Sequence, residues 1–393
     1  MTSAKRWLLP DGVEEILPEE AARIESLRRK ILDLYRSWGY ELVITPLIEF
    51  LDSLLVGTSK DLDIHTFKIV DQLSGRMMGI RADITPQAAR IDAHCLNREG
   101  PVRLCYSDNV LHTKPRGLMT SRVPIRIGAE LYGHAGVECD IELICLMQET
   151  LHAAGIEDSQ IVLGHVGIFR RLLEEAGLDA DTEQQLFQAV QRKAFDEIDS
   201  VLAQSVEDES LRKRIQELTR LSGDDSVLSQ AREVFAGASD SVIAELDELM
   251  AIADGAKQRL PDATIGFDLC ELRGYEYHTG IVFAAYTTGH GRAVAKGGRY
   301  NDIGEVFGRA RPASGFDSDL KTLARLSRQE SSAAQGILAP EDTDAALLSK
   351  ITELRSSGEI VIQQLGEQAP AAGKSNCNRK LVKQNDNWVV KDI

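Results

Sequence analysis

Apolar positions along the chain change period several times, and each change marks an element. After Pro18-Glu19-Glu20, which suits a helix N-terminus, Ile24, Leu27, Ile31, Leu34, Tyr35 and Trp38 recur at helical spacing until Gly39. Tyr40 to Ile44 follows as a strand closed by Pro46, and Met77 to Arg81 as a second strand that ends where Thr85-Pro86 opens a helix. Residues 125–133 alternate through Ile125, Ile127, Ala129 and Leu131, as a half-buried strand does, so Arg126, Gly128 and Glu130 share the opposite face. Helical spacing returns from Ile141 to Ala154 and stops at Gly155, and Gln160 to Leu163 forms a short apolar strand. Residues from about 170 to 256 are rich in Ala, Glu, Leu, Gln and Arg without β-branched clusters, which predicts a helical insertion. Strands resume at Thr264 to Leu269, Ile281 to Tyr286 and Arg292 to Ala295, and their hairpin-like succession predicts an antiparallel sheet in an α+β fold.

Gln329 to Ala334 is small and polar, as a linker is, and separates a main domain, 1–328, from a small α/β tail, 329–393. In that tail Ala345 to Arg355 reads as a helix and Glu359 to Leu365 as a strand. Leu381-Val382-Lys383 and Trp388-Val389-Val390, flanking Gln384-Asn385-Asp386-Asn387, read as a hairpin.

Composition narrows the function. With 393 residues the chain has room for two to three domains, and 43% hydrophobic with 27% charged residues is the balance of a folding globular protein. A net charge of −16 argues against a protein that coats a nucleic-acid backbone. No apolar run approaches the roughly 20 residues that span a bilayer, which leads us to expect a cytoplasmic protein without a membrane partner. Six cysteines, at 95, 105, 139, 145, 270 and 377, form no C-x-x-C pair, so reduced, mostly buried thiols are expected and no metal site. Phosphate-loop, dinucleotide-binding, zincin and nucleophile-elbow motifs are all absent. Asp224-Asp225 sits between Gly223 and Ser226 inside the helical insertion, with no hydrophobic strand before it, and reads as a turn or cap.

Three stretches place polar groups where the surrounding pattern is core-facing: Arg81-Ala82-Asp83-Ile84-Thr85-Pro86-Gln87, Arg126 with Glu130, and Arg273-Gly274-Tyr275-Glu276-Tyr277-His278-Thr279-Gly280. Together they supply what an amino-acid zwitterion needs, namely acceptors for an ammonium, a cation for a carboxylate and a directional partner for a side chain. Each has a plainer reading. Thr85 could cap its helix, an effect of about 1 kcal/mol. Asp83 could pair with Arg81 or serve the same helix end. Arg126 and Glu130 could be an exposed pair. Strand alternation would put Tyr277 and His278 on opposite faces, one of them core. Of the eight histidines only His278 and His112 attract interest.

The third stretch, followed by Lys296-Gly297-Gly298-Arg299-Tyr300, resembles the two histidine-binding signatures of histidyl-tRNA synthetase, a class II aminoacyl-tRNA synthetase. The likeness runs from about residue 8 to 327. Trp38-Gly39-Tyr40 through Pro46-Leu47-Ile48-Glu49 looks like the dimer-forming first class II motif, Ile127 to Gly133 like the end of the second, and Gly315-Phe316 like the start of the third. At the two arginine positions by which that family grips ATP, this chain has His112 and Thr322, and Asp319 replaces a glycine. A chain with the amino-acid pocket and without that grip resembles the regulatory subunits of ATP phosphoribosyltransferase.

That resemblance implies a homodimer of class II architecture, assembled with a short-form catalytic subunit into a hetero-octamer for the first step of histidine biosynthesis. It implies no catalytic residues, no cofactor and no nucleic acid, and L-histidine as a feedback ligand. Asp83 and Thr85 would meet the ammonium, Glu130 the imidazole and Arg273 the carboxylate, with Tyr277 or His278 closing the pocket. Arg126 stands where the synthetase has a glutamine. The alternatives are an active histidyl-tRNA synthetase, and a synthetase-like module for another small amino acid.

Overall fold

The structure is a computed structural model; it describes residues 7–55, 60–115, 117, 120–272, 274–275, 277–327, 335–366 and 377–393. The chain divides into two compact units, Met1–Arg328 and Gln329–Ile393. The polar stretch 329–334 lies outside the described residues.

In chain order the strands of the first unit are β1 (Glu41–Leu42), β2 (Ile48–Phe50), β3 (Phe67–Val70), β4 (Met77–Ile80), β5 (Val102–Asn109), β6 (Ile125–Tyr132), β7 (Ser159–His165), β8 (Ser222–Gly223), β9 (Thr264–Asp268), β10 (Ile281–Thr287), β11 (Ala295–Arg299) and β12 (Ala313–Asp319). Nine of them build one sheet in the order β1-β5-β6-β12-β11-β10-β7-β9-β8, and β2, β4 and β3 make a small antiparallel sheet beside it. The run from β5 to β7 is antiparallel, as the hairpin-like sequence predicts, but β1 pairs with β5 and β7 with β9 in parallel. The β7–β9 pair is parallel because the helical insertion is its crossover, and a parallel pair needs a long connection.

Alternation along β6 sorts the two faces. Ile127, Ala129 and Leu131 enter the main core with Ile31 and Tyr35 of the helix Pro18–Ser37 and Leu143 and Met147 of the helix Glu138–Ala153. Tyr132 joins Leu104, Ala89 and Tyr300 in a smaller cluster, and Glu130 lies beside them, so the second face carries the polar chemistry. The insertion spans six helices from Val166–Ala176 to Asp240–Arg259, with β8 as its only strand. Asp179, Asp208 and Ser239 accept backbone N–H groups at three of its helix starts. Asp224 forms a turn, accepting from the Ser226 N–H at 3.0 Å and its hydroxyl at 2.7 Å.

Two sequence expectations differ from what folds, and strand β5 has no counterpart in the sequence reading. The strand expected at Arg292 to Ala295 is Ala295–Arg299, because Gly297 and Gly298 pair into the sheet. A Cβ on Gly297 would stand 2.2 Å from the Gly315 carbonyl, so the close approach requires glycine. Strand β5 has no clear alternation because Leu104, Cys105 and Tyr106 are buried on both faces. The stretch Tyr40 to Ile44 contributes only the two paired residues of β1.

The second unit contains β13 (Gly336–Ala339), the helix Ala345–Ser356, β14 (Val361–Gln363), β15 (Cys377–Gln384) and β16 (Asn387–Asp392), in the sheet order β14-β13-β15-β16. Its core is Ile337, Ala339, Leu347, Ile351, Val361 and Leu381. Asn385 and Asp386, with φ of 45° and 62°, make the tight turn that joins β15 to β16. Among the described residues no helix is long and apolar enough to cross a membrane.

Candidate functional site

A cavity of about 260 Å³ opens on the polar face of the large sheet, lined among others by Asp83, Thr85, Glu130, Tyr277, His278, Tyr300 and Asp317. Its floor is Glu130, which β6 delivers inward and burial seals to 1% exposure. Thr85 donates its hydroxyl to Glu130 Oε1 at 2.9 Å, Tyr106 donates to the same oxygen at 3.0 Å, and Tyr300 donates to Oε2. Burial pushes this carboxyl up to about 8, Asp83 adds to the shift, and the three hydroxyls oppose it. A neutral or ionised carboxyl fixed in this way offers a directional partner to a ligand N–H.

The hydroxyl of Thr85 therefore does not cap its helix: the helix Thr85–Arg90 starts at this residue, and the N-cap position, Ile84, makes no side-chain cap bond. Asp83 instead serves that helix end, with Oδ1 accepting the Ile84 N–H at 2.6 Å and the Thr85 N–H at 3.3 Å. Arg81 is not its partner. The Arg81 guanidinium is buried and binds Asp108 at 2.8 Å, the Asn109 carbonyl at 2.8 Å, and the carbonyl and hydroxyl of Thr45, both at 2.7 Å. It rivets the Asp83 segment to the end of β5 and to the loop between β1 and β2.

Arg126 and Glu130 are not an exposed pair either. Arg126 Nη1 reaches Asp317 Oδ2 on the adjacent strand β12 at 3.2 Å, and Asp317, not Arg126, lines the cavity. Tyr277 and His278 both line it, against the alternation expected of a strand. Their segment is a turn: Gly274 has φ +73°, and the N–H groups of Tyr277 and His278 both donate to its carbonyl at 2.8 Å. Without an extended backbone the period-two rule has no hold. The Tyr277 ring stacks on Tyr300 with centroids 4.9 Å apart, and its buried hydroxyl has no hydrogen-bond partner among the described residues. Arg273 lies outside the described residues.

Among the described lining residues, Asp83, Glu130, Glu271 and Asp317 are carboxylic acids and Lys296 is basic. The field in the cavity thus favours a ligand carrying positive charge. Sequence reasoning missed Tyr106 and Glu271, which no motif announces, and Asp317, which directly follows Gly315-Phe316 at the start of the third motif. Tyr300 and Lys296 carried a signal, since they end and begin the stretch Lys296-Gly297-Gly298-Arg299-Tyr300.

The positions that the resemblance assigns to an ATP grip, 112 and 322, make other contacts here. His112 is buried with Nε2 3.0 Å from the Ala82 carbonyl. Asp319 caps the helix Leu320–Leu326, accepting from the Lys321 N–H at 3.3 Å, while Thr322 donates its hydroxyl to Asp319 Oδ2 at 2.8 Å.

Residues 12–323 match the family model for histidyl-tRNA synthetase, and residues 334–391 match that for the ATP phosphoribosyltransferase subunit HisZ C-terminal domain. The chain is 55% identical over 396 residues to the ATP phosphoribosyltransferase regulatory subunit of Thioalkalivibrio sulfidiphilus, covering 100% of both chains. It is also 55% identical over 392 residues to that of Stutzerimonas stutzeri, covering 99% of each. In fold it is similar to an ATP phosphoribosyltransferase regulatory subunit/histidyl-tRNA synthetase from Bacillus halodurans, with a TM-score of 0.83 at 24% identity over 95% of this chain and 96% of that one. A histidyl-tRNA synthetase from Nostoc gives a TM-score of 0.79 at 19% identity, over 98% and 94% of the two chains.

Proposed function

The chain belongs to the ATP phosphoribosyltransferase regulatory subunits, and on that premise we propose that its cavity binds free L-histidine and reports that binding to a short catalytic subunit. The observation that carries the reading is Glu130, a buried carboxyl at the cavity floor steadied by three hydroxyls, in a cavity that Tyr277 and His278 also line. Glu130 would accept an imidazole N–H, and Asp83 with its acidic neighbours would take the α-ammonium. Arg273 would meet the carboxylate, with Lys296 as a second cation lining the cavity. Tyr277 and His278 would close over the ring, and Thr85 would act through Glu130. Arg126 would act through Asp317, holding an acid in place and not touching the ligand.

No step of ATP chemistry is assigned to this chain. On the resemblance, Asp319, which caps its helix and accepts from Thr322, would stand where adenylate formation gathers negative charge, and a carboxylate there would be repulsive. The catalysis would lie in the partner, which transfers a phosphoribosyl group to ATP, in a cytoplasmic hetero-octamer built around a homodimer of this chain. Histidine regulates such an assembly only by preferring one quaternary state, and a coupling of about 1 to 3 kcal/mol is typical.

The test pairs two measurements. Titration calorimetry with an amino-acid panel should give heat with L-histidine alone, and histidine-dependent exchange between pyrophosphate and ATP should be absent. Robust exchange would return the chain to the synthetases, and equal binding of several amino acids would remove the feedback role.

A further inference from the structure

One loop serves two masters in this fold. Its residues Tyr277 and His278 line the cavity, while Tyr275, just after Gly274, points the other way into the helical insertion. There the Tyr275 ring meets Phe169 edge-on, with centroids 5.8 Å apart, and lies 5.1 Å from Phe187. Its hydroxyl reaches Glu183 Oε1 at 3.4 Å. Phe169 belongs to the helix Val166–Ala176, and Glu183 and Phe187 to the helix Ala180–Gln191.

Arg170, on the first of these helices, closes the arrangement. Its Nη2 donates to the Tyr275 carbonyl at 3.0 Å and to the His278 carbonyl at 2.9 Å, and its guanidinium carbon lies 5.1 Å from the centre of the Tyr275 ring. A single charged group thus ties both ends of the turn that presents Tyr277 and His278 to the cavity. Charge-assisted bonds of this kind are about twice as strong as neutral ones, and a planar guanidinium loses little freedom in forming them. The same helix begins where the Val166 N–H donates to the Gly280 carbonyl at 3.1 Å, so helix and loop are joined on both sides of the turn.

We infer that Arg170 and Tyr275 are positioning residues forming a clamp through which the helical insertion holds the pocket loop, and through which a ligand in the pocket is felt by the insertion. The inference deepens the reading of the cavity as a histidine site and rests on it for the identity of the ligand. The physical link between loop and insertion does not. By linkage the coupling is reciprocal: whatever orders the insertion helices raises ligand affinity by the factor that the ligand orders them.

Hydrogen exchange on the full chain tests this, with wild type, Arg170→Gln and Tyr275→Leu compared with and without L-histidine. In wild type, histidine should slow exchange in the loop 274–279 and in helices Val166–Ala176 and Ala180–Gln191. In Arg170→Gln the loop should still respond while the two helices fall silent. If the released loop is competent about a tenth of the time, affinity falls about tenfold. A general loss of stability would instead speed exchange in the helix Asp240–Arg259 as well. Insertion helices that respond equally in the variant, or that ignore histidine in wild type while the loop responds, would overturn the clamp.

Should wild type bind no histidine at all, the ligand assignment fails and the ligand-free samples judge the clamp. Arg170→Gln must then speed exchange at the loop amides without changing the helix Asp240–Arg259, and an unchanged loop overturns it. Tyr275→Leu removes the ring contacts and leaves the arginine, and it decides the matter by the same criteria if Arg170→Gln does not fold.

Discussion

Glu130→Gln keeps the shape of the cavity floor and removes its titration, which makes it the sharpest probe of the site. Burial lifts the Glu130 carboxyl from its ordinary 4.5 to about 8. The native state therefore holds this proton more tightly than the unfolded chain does. Its contribution to stability is present in full below pH about 4.5 and is lost as pH rises through about 8. At about 1.4 kcal/mol per pH unit across that interval, the whole effect is on the order of 5 kcal/mol. Glutamine carries no such dependence. Urea unfolding of both proteins, followed by circular dichroism at matched ionic strength, should show the wild-type advantage shrinking by about 1.4 kcal/mol for each pH unit in the neutral range. It should level off above pH about 8.5, because both states have then lost the proton. Groups that titrate alike in the two proteins cancel in the difference. A difference that stays flat with pH would mean that Glu130 is ionised in the native protein and that water or a cation reaches it, and the account of the cavity as a desolvated site would fail.

Two further outcomes follow from the packing around this floor. Gly315→Ala would place a Cβ 1.6 Å from Glu130 Oε2 and 2.6 Å from the Tyr300 hydroxyl, so it should displace the carboxyl. Ligand binding by calorimetry should be lost with the circular dichroism spectrum unchanged, and binding within twofold of wild type would refute this geometry. Arg299→Met should cost about 3 to 5 kcal/mol, read as a lower Tm, because it leaves Asp140 as a buried charge without its guanidinium. Adding Asp140→Asn to that variant should recover a large part of the loss, and no recovery would show that Arg299 acts through its bonds to the Ala135 and Gly136 carbonyls instead.

The legibility of the fold followed the strength of local period. The helix Pro18–Ser37 has one face in the core and one outside it, and strand β6 alternates apolar Ile127, Ala129 and Leu131 with Arg126, Gly128 and Glu130, so their spacing was readable. The terminal hairpin was readable for a different reason, since Asn385 and Asp386 are residues that tolerate positive φ. Strand β5 was not, because a strand covered on both faces has no alternation to read, and β11 was misplaced because its glycines answer to a neighbouring carbonyl. In the site, Asp83, Thr85, Glu130, Tyr277 and His278 are brought to one cavity. What local pattern misjudged was how they meet: a Gly274 turn where a strand was expected, and Asp317 interposed between Arg126 and the cavity. Tyr106 meets Glu130 from 24 positions away, a relation that exists only once β5 and β6 pair.

The bond between Thr322 and Asp319 has a historical consequence. Exchanging Thr322 for arginine would break the hydroxyl contact while Asp319 stayed on its helix end, ready to neutralise the newcomer. Exchanging Asp319 for glycine alone would strip the helix of its cap, for which Gly is a poorer but tolerable substitute. On the proposed reading, in which this chain holds no nucleotide, neither change by itself would supply a grip for one, so selection acting one substitution at a time would find no gradient toward it.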